Sequence, residues 1–377
     1  MKTTLLSLAL GLLATTANAD VPSVDFNSLP VLQASTPIPG NTRIPGDFNG
    51  DGYSDLPWFN PTTNQFGYWT MTATAGTPNV QSGNVTRTGG SLWNVTPGYV
   101  VGAIGDFNGD GYADLVWTSA SNDLWLWTNN KQGGFTSTQI GSYPSQWQLV
   151  GAGDVDGDGY DDLLWMDPSE CKFAYWTMRG GVRTGYKIID VACGYHPIAI
   201  GYFTPSNRIS IMWTSPAHDL YVWDSTGSGF LSYNLSSFVS TDTTWAIGGG
   251  YQGVGIGIST RGGSSASSAT GEGYLLNRSF DQNGHQSAVS TTFLWGGAGN
   301  WSYTQATYLI VGNGLNSTSL YYTDQAQWTL QNGGLPTPLM YWTGNAPNPG
   351  AGPFWVYPQG WYVIGAPGNG ASPFPWK

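Results

Sequence analysis

Three acidic loops in the sequence place side-chain oxygens at a spacing that suits a hard cation. In the first loop, Asp47–Asp55 (DFNGDGYSD), these oxygens fall at positions 1, 3, 5 and 9, and the backbone carbonyl of Tyr53 can serve at position 7. Ca²⁺ takes about six to eight oxygen ligands, and alternate residues of a curled loop converge on one point to supply them. Mg²⁺ would require a stricter octahedral arrangement. Because Gly52 at position 6 permits the sharp turn, the loop predicts a calcium site.

The same residues could also belong to an EF-hand, or to a turn that binds nothing. An EF-hand requires a bidentate glutamate at position 12 and a helix on each side. Position 12 is instead Trp58, Trp117 or Trp165, and the flanking segments are β-type, as in Leu115–Trp117. Asp and Gly favour turns in any case. However, several carboxylates within one short loop would repel one another strongly without a cation, so the sequence favours calcium loops.

The acidic loops belong to an internal repeat of about fifty residues. The segment Gly46–Leu56 recurs as Gly105–Leu115 and as Gly153–Leu163. Each copy is followed at the same offset by a tryptophan, and then by a second aromatic segment. Later copies keep only the Ile/Val-Gly opening, and the glycines of all openings lie at positions 46, 105, 153, 201, 248, 312 and 365. This period is close to that of a four-stranded propeller blade.

The repeat predicts an all-β fold, a seven-bladed β-propeller of four-stranded blades that forms a single domain over residues 20–377. The last opening is followed only by Gly365–Lys377, which is room for about two strands, so residues 20–45 are expected to complete the last blade. A ring closed by strands from both termini leaves no exposed sheet edge. The composition agrees with this fold, since 54 of the 377 residues are glycine and only 12 are Lys or Arg.

The pattern GDFNGDGYADLVW followed by WLWT resembles the FG-GAP/VCBS repeats of secreted proteins and of the integrin α-subunit propeller. The resemblance is strong over residues 44–225, and over residues 226–377 it depends mainly on spacing and on the openings. It implies a seven-bladed propeller with Ca²⁺ in loops that join the first two strands of some blades. The residues at matching ligand positions are Asp47, Asn49, Asp51, Tyr53 and Asp55, then Asp106, Asn108, Asp110, Tyr112 and Asp114, then Asp154, Asp156, Asp158, Tyr160 and Asp162. The later openings lack this set, so three calcium sites are expected.

The N-terminal residues have the pattern of a secretory signal peptide. Lys2 precedes the apolar stretch Leu5–Ala14, and Ala17–Ala19 fits a signal-peptidase site. We therefore expect residues 1–19 to be removed and the protein to be secreted into the extracellular space. A membrane anchor is the alternative, but the apolar stretch is too short for a hydrocarbon layer of about 30 Å, and no later segment could span a membrane. Export favours a disulfide between Cys171 and Cys193 over two buried thiols.

Carbohydrate binding is the favoured function. Flat aromatic faces stack on the C–H faces of sugars, short amides and carboxylates bind the hydroxyls, and the chain contains 19 tryptophans. Tryptophans in the repeat register, such as Trp58, are expected in the core. The candidate ligand-binding residues lie outside that register, among polar residues that could face solvent: Trp93, Trp147, Trp295 and Trp301. A nucleic-acid partner is disfavoured, because the net charge is −11 and phosphate binding needs a cluster of basic residues.

A protein-binding module and an enzyme are the alternatives. The integrin resemblance favours adhesion to a cell-surface protein through four aligned turns, which should share one face: Asn60–Gln65, Ser119–Asp123, Asp167–Lys172 and Ser215–Asp219. An enzyme needs a positioned acid and base, but His196, His218 and His285 have no companion motif. Carboxylate pairs contributed by different blades stay open as a glycosidase site. No catalytic residue is predicted, and a polysaccharide-degrading enzyme is the least favoured class.

Overall fold

The computed structural model describes residues 46–52, 55–73, 85–201, 204, 206, 208–217, 219–237, 245–249, 256–262, 270–280, 285–298, 308–311, 318–323, 337–343, 353–357 and 361–363. These residues contain strands β1 to β28, and no helix occurs among them. The part of the chain that is described therefore offers no apolar helix of membrane-spanning length.

Twenty-four of the strands form six four-stranded antiparallel sheets. In hydrogen-bonded order, the first sheet contains β28 (Tyr362–Val363), β1 (Leu56–Asn60), β2 (Gln65–Trp69) and β5 (Ser91–Asn94). The second contains β6 (Tyr99–Gly105), β7 (Asp114–Ser119), β8 (Asp123–Asn129) and β9 (Phe135–Ser142). The third contains β10 (Gln148–Gly153), β11 (Asp162–Asp167), β12 (Lys172–Trp176) and β15 (Lys187–Asp190).

The remaining strands repeat this order. The fourth sheet contains β16 (His196–Gly201), β17 (Ser210–Thr214), β18 (Asp219–Ser225) and β19 (Phe230–Ser237). The fifth contains β20 (Trp245–Gly249), β21 (Ile256–Gly262), β22 (Thr270–Phe280) and β23 (Gln286–Ala298). The sixth contains β24 (Tyr308–Val311), β25 (Thr318–Thr323), β26 (Thr337–Thr343) and β27 (Pro353–Tyr357). Two short hairpins pair β3 (Met71–Ala73) with β4 (Val85–Arg87) and β13 (Met178–Arg179) with β14 (Val182–Arg183).

The second strand of each of the first four sheets is apolar on both faces. Strands β1, β11 and β17 are buried along their whole length, and β7 is buried except at its last residue. Strands covered on both faces read as nearly continuous apolar runs. Outer strand β9, in contrast, is mostly exposed. The core consequently lies between neighbouring sheets, as separate clusters between the first and second, the second and third, and the third and fourth.

The first strands of successive sheets lie side by side. Strand β6 contacts β10, β10 contacts β16, β16 contacts β20, and β20 contacts β24. Sheets that share contacts along their first strands and pack face to face have a propeller-like arrangement. The prediction of an all-β, propeller-like fold is confirmed.

The seven predicted blades are not all found among the described strands. The seventh opening provides β28, which pairs with β1 so that Val363 lies opposite Trp58 and Tyr362 opposite Phe59. In the second sheet, opening strand β6 meets Trp117 in the same register, through Val101. The last opening therefore takes the first position of the first sheet, and the described strands form six four-stranded sheets. Residues 20–45, which were expected to complete a seventh blade, lie outside the described residues.

The predicted disulfide is present. Cys171 and Cys193 are bonded, with Cα atoms 5.0 Å apart. Cys171 has a φ of 53°, and it occupies the turn position that Asn64 and Asn122 take in the first two sheets with φ of 54° and 58°. Few residues other than glycine adopt this conformation, and asparagine is favoured among them. The bond fastens this turn of the third sheet to the segment that leads into β16.

Candidate metal centre and ligand-binding residues

The aspartate at position 1 organises each acidic loop. In the first loop, Asp47 accepts hydrogen bonds from the backbone N–H groups of Gly50 (2.6 Å) and Gly52 (2.8 Å). Asp154 accepts the equivalent pair in the third loop, at 2.6 and 3.0 Å. Asp106 accepts bonds from residues four and five positions further along, at 3.0 and 2.8 Å. The backbone of each loop thus curls round one carboxylate, as the oxygen spacing predicts.

The aspartate at position 9 ties the loop to the end of its sheet's third strand. Asp55 accepts from the backbone N–H groups of Phe48 (2.8 Å) and Met71 (2.9 Å). Asp114 and Asp162 make the matching pairs of bonds, and all three carboxylates are fully buried. The sequence predicted these aspartates only as cation ligands. Their second role, as hydrogen-bonded links between loop and sheet, was missed because the strand-end N–H groups are distant in sequence.

The third loop brings the most negative charge together. Carboxylate oxygens of Asp154, Asp156 and Asp162 lie within 4.8 Å of one another. In the second loop, the amide of Asn108 replaces the carboxylate at position 3, and it donates to Asp110 at 3.0 Å. Position 3 of the first loop is an asparagine as well. Of the three loops, the third therefore has the donor set that best fits a hard divalent cation.

Burial makes several of these carboxylates hard to ionise without a cation. It raises the pKa of Asp47 to about 6, and the pKa of Asp114 and of Asp162 to about 8. Backbone N–H donors lower these pKa values, and the neighbouring carboxylates raise them further. Burial also raises the pKa of Asp55 well above its ordinary value. A bound cation would supply the opposite charge that favours the ionised forms. The all-oxygen donor set thus fits Ca²⁺, whose presence stays a prediction.

Neighbouring acidic loops are linked in series. The backbone N–H of Ala113 in the second loop donates to the carbonyl of Asp47 in the first (2.7 Å), and Asp161 donates in the same way to Asp106 (2.8 Å). Tyr160, at position 7 of the third loop, packs over Gly109 so closely that a Cβ there would lie 2.7 Å from its ring. The tyrosine was predicted as a ligand through its carbonyl, and its ring adds a contact between loops. Tyr53 and Ser54 of the first loop lie outside the described residues.

The fourth repeat has no acidic loop, as expected from its sequence. Thr204 and Ser206 occupy two of the ligand positions, and their hydroxyls bond each other at 2.7 Å. Ser210 replaces the buried aspartate of position 9, and its hydroxyl donates to Asp224 (2.7 Å). Arg208 replaces the tyrosine of position 7 and donates through Nε to the carbonyl of Ser225 (3.1 Å). Hydroxyls therefore stand at positions where the earlier loops have side-chain oxygen ligands, and a cationic side chain stands where they have a tyrosine.

Trp93, one of the predicted ligand-binding residues, belongs to the core. Only 5% of its surface is exposed. Its ring stacks on Phe66 and Tyr68, with centroids 5.8 and 5.3 Å apart, and meets the edge of Phe135 at 5.1 Å. The expectation that Trp93 faces solvent is wrong, because the second sheet covers it. Asn94, the polar residue directly after Trp93, lies on the other side of strand β5 and is exposed.

The structure describes the other three candidate tryptophans to different extents. Trp147 is half-buried against the cluster between the second and third sheets, so its role in ligand binding stays a prediction. Trp295 lies in strand β23, opposite Gly273, but its side chain is outside what the structure describes. Trp301 lies outside the described residues altogether.

Of the histidines, His196 begins β16 and is exposed, as is His285, while His218 is outside the described part.

A cluster of serine, aspartate and tyrosine recurs in two turns. In the second sheet, the hydroxyls of Ser119 and Tyr99 both donate to the carboxylate of Asp123. The fourth sheet repeats it, since Ser215 (2.6 Å) and Tyr195 donate to Asp219. The turns themselves were singled out in the sequence, and a serine four residues before an aspartate in both was the available signal. The tyrosine could not be assigned, because it is contributed by a segment some twenty residues upstream.

An aromatic side chain accompanies each of these clusters. Trp125 donates through Nε1 to Asp123 at 2.9 Å, and its counterpart in the fourth sheet is Tyr221, which meets the ring of Tyr195 edge-on at 5.8 Å. Both clusters are only partly buried. Each therefore combines a carboxylate, two hydroxyls and an aromatic ring close to solvent.

The comparison with known protein families agrees with the repeat. Residues 106–165 match the FG-GAP-like repeat family, and no curated protein is significantly similar to the chain in sequence. Among solved structures, the chain is similar to a functionally unknown protein from Desulfotomaculum acetoxidans DSM 771, with 14% identity, a TM-score of 0.43, and coverage of 83% of this chain and 90% of that one. It is also similar to AofleA from Arthrobotrys oligospora, with 12% identity, a TM-score of 0.43, and coverage of 88% and 94%. The repeat match over residues 106–165 and the propeller-like sheets together support an FG-GAP-repeat β-propeller.

Proposed function

We propose that this protein is a secreted, calcium-stabilised binding module that recognises carbohydrate. FG-GAP repeats in a propeller are typical of binding or adhesion domains, which supports a binding function. The disulfide between Cys171 and Cys193 supports secretion, because such bonds persist mainly in oxidising compartments. We also infer a closed ring, and the pairing of β28 with β1 supports closure through the first sheet.

Calcium has a structural role in this proposal. Each acidic loop curls round a carboxylate at position 1 and is anchored by a buried one at position 9. The loops are also bonded to one another through the carbonyls of Asp47 and Asp106. A cation in one loop therefore stabilises its own sheet and the contact with the next sheet. The first three sheets depend on calcium, and the fourth, which has no carboxylate set, does not.

The serine, aspartate and tyrosine clusters are the single observation that carries the carbohydrate assignment. A carboxylate accepts hydrogen bonds from sugar hydroxyls, and the neighbouring hydroxyls can donate or accept. The rings of Trp125 and Tyr221 lie beside the clusters and offer apolar faces. Two sheets share this combination at equivalent turns, as a module with more than one glycan-binding position would require.

A glycan array with calcium present tests this function. Glycans that bind the wild type are then titrated against Asp123→Asn and Asp219→Asn, and we expect at least one of the two variants to lose affinity. Glu170→Gln is the matched control, because it removes an exposed carboxylate from the equivalent turn of the third sheet, which has no cluster. Absence of binding across the array, or binding by both variants that is as tight as that of the wild type, would reject the carbohydrate assignment.

Protein adhesion is the second candidate, and an exposed apolar patch favours it. Val182 in strand β14, Ile188 in outer strand β15 and Tyr186 between them lie close in sequence, and 65%, 48% and 64% of their surfaces are exposed. Apolar side chains grouped on a surface often mark a protein contact. A triple serine variant of these residues that loses attachment to cells, with free sugars unable to compete for attachment, would favour adhesion instead.

A further inference from the structure

A cavity of about 400 Å³ opens between the third and fourth sheets. Its volume falls within the range of small-ligand sites, about 300 to 1,000 Å³. Strand β15 and the segment after it form one side, and strands β17, β18 and β19 form the other. The residues that define it are Ile189, Tyr195, Tyr221, Trp223, Phe230 and Ser232.

The cavity exists because a smaller side chain replaces a tryptophan. Trp93 pairs with Phe66 in the first sheet, and Ile189 pairs with Phe173 in the same register of the third. Between the first and second sheets, the ring of Trp93 fills the corresponding space against Phe135. Phe230 is the counterpart of Phe135 and meets the rings of Phe173 and Tyr175, but Ile189 offers it no ring at the position that Trp93 takes. The cleft between the third and fourth sheets is consequently left open.

The walls of the cavity are aromatic and its mouth is polar. Trp223 and Phe230 lie with centroids 5.6 Å apart at an angle of 32°, and so present a broad apolar face. At the mouth, Ser232 and Asp190 are exposed, and the hydroxyl of Tyr195 belongs to the cluster with Asp219. Apolar walls with a few convergent polar groups are the usual composition of a ligand pocket.

The charge of the lining favours an uncharged ligand. Asp190 contributes a carboxylate, and no Lys or Arg is among the residues that line the cavity. Lys172 pairs with Asp190 from outside at 2.6 Å, which offsets the negative charge without adding a positive one. An anionic sugar would meet no unpaired cation in this lining, whereas a neutral sugar needs none.

One side of the mouth is held in place by covalent and hydrogen bonds. The backbone N–H of Val191 donates to the carbonyl of Cys171 at 2.9 Å. Cys193, two residues after Val191, forms the disulfide with Cys171, and Tyr195 lies two residues after Cys193. This rim is therefore ordered before a ligand arrives, which lowers the entropic cost of binding.

We propose that the cavity binds a neutral sugar residue of a glycan, and that Ile189 makes this cleft a ligand site. The proposal rests on the proposed carbohydrate function and gives it a location. The sugar ring lies against the aromatic walls, and its hydroxyls reach Ser232, Asp190 and Tyr195 at the mouth. Trp93, at the matching register position, closes the cleft between the first and second sheets.

The test blocks the cavity with a tryptophan, either in its wall at Ile189 or at its mouth at Ser232. Wild-type protein is titrated with neutral hexose and N-acetylhexosamine oligosaccharides, and with sialylated and uronic-acid-containing ones, by calorimetry. Ile189→Trp should lower the affinity for neutral oligosaccharides by about tenfold or more. Its control is Ile188→Trp, which changes the neighbouring exposed residue on the opposite face of β15. Should Ile189→Trp fail to fold, Ser232→Trp blocks the mouth from an exposed position, with Leu231→Trp as its control.

The outcomes separate this proposal from the function on which it rests. No binding of any oligosaccharide by the wild type would overturn both. Binding that is equal in the wild type, Ile189→Trp and Ser232→Trp would overturn the location and leave the carbohydrate function standing. Tighter binding of sialylated or uronic oligosaccharides than of neutral ones would overturn the assignment to a neutral sugar.

Discussion

Replacing Trp93 by isoleucine should open a second cavity, between the first and second sheets. Trp93 is almost fully buried and packs against Phe66, Tyr68 and Phe135. Truncating a buried tryptophan to alanine costs about 3–5 kcal/mol, and each aromatic pair adds about 0.5–1.5 kcal/mol beyond its buried area. Because isoleucine keeps part of the apolar volume, we expect the free energy of unfolding to fall by about 2–4 kcal/mol.

Two measurements check this prediction. Denaturant unfolding followed by tryptophan fluorescence gives the loss of stability, and calorimetric titration with the glycan bound by the wild type gives the stoichiometry. We expect Trp93→Ile to bind one more ligand per chain. Trp93→Phe is the control, because it keeps a ring against Phe66 and Tyr68 and should lose less stability without gaining a site. Unchanged stoichiometry in a folded Trp93→Ile would refute the reasoning that this register position opens or closes a cleft.

Three further predictions concern the loops and the clusters. Removing calcium with EDTA should lower the thermal midpoint, since each occupied site adds about 2.7 kcal/mol at a calcium concentration one hundred times its Kd; an unchanged midpoint would contradict a stabilising role. Gly109→Ala should destabilise the protein more than Gly111→Ala, because both have positive φ but only the first meets the ring of Tyr160, and equal denaturation midpoints would be against this. In the wild type, burial raises the pKa of Asp219, but hydrogen bonds from the Ser215 and Tyr195 hydroxyls lower it further, so that the net shift is downward. Tyr195→Phe removes one of these bonds and should therefore raise the pKa of Asp219. Carboxyl NMR titration measures this pKa, and no upward shift would refute the hydrogen bond.

The last prediction has a defined consequence for stability against pH. The pKa of Asp219 is lowered in the folded protein, so the ionised carboxylate favours folding above the unfolded pKa. That contribution is lost as the pH falls through the folded pKa. Because the carboxylate of Asp219 is only partly buried, solvent screens its interactions and the effect on overall stability is small, so Tyr195→Phe should change only the acid end of the stability profile.

Local features of the sequence were sufficient to predict the acidic loops. Their ligand oxygens lie within nine residues, and the turn round Asp47 is made by backbone N–H groups three and five positions away. The core tryptophans could be recognised for a similar reason. Four tryptophans recur at one offset in the repeat, and only 1% of the surface of each is exposed: Trp58, Trp117, Trp165 and Trp213. A pattern repeated along the chain carries the information about both features.

Contacts between sheets could not be predicted in the same way. The burial of Trp93 depends on Phe135 in the next sheet, and the tie from Asp55 to the backbone of Met71 depends on how strand β2 ends. The place of the last opening strand could not be predicted for a related reason. Seven openings are visible in the sequence, but nothing within the last opening indicates that its strand pairs with β1 more than three hundred residues earlier.

The sequence by itself determined the repeating unit of this protein, because a β-strand pattern, a turn and an acidic loop each depend on residues that are close together in the chain. Only the tertiary structure decided where two units meet closely and where they leave space. The exchange of Trp93 for Ile189 is one of the differences between two repeats, and it has a structural effect only because a neighbouring sheet packs opposite each residue. Packing between sheets fills one cleft and leaves a cavity in the other, since close packing is a property of the assembled side chains.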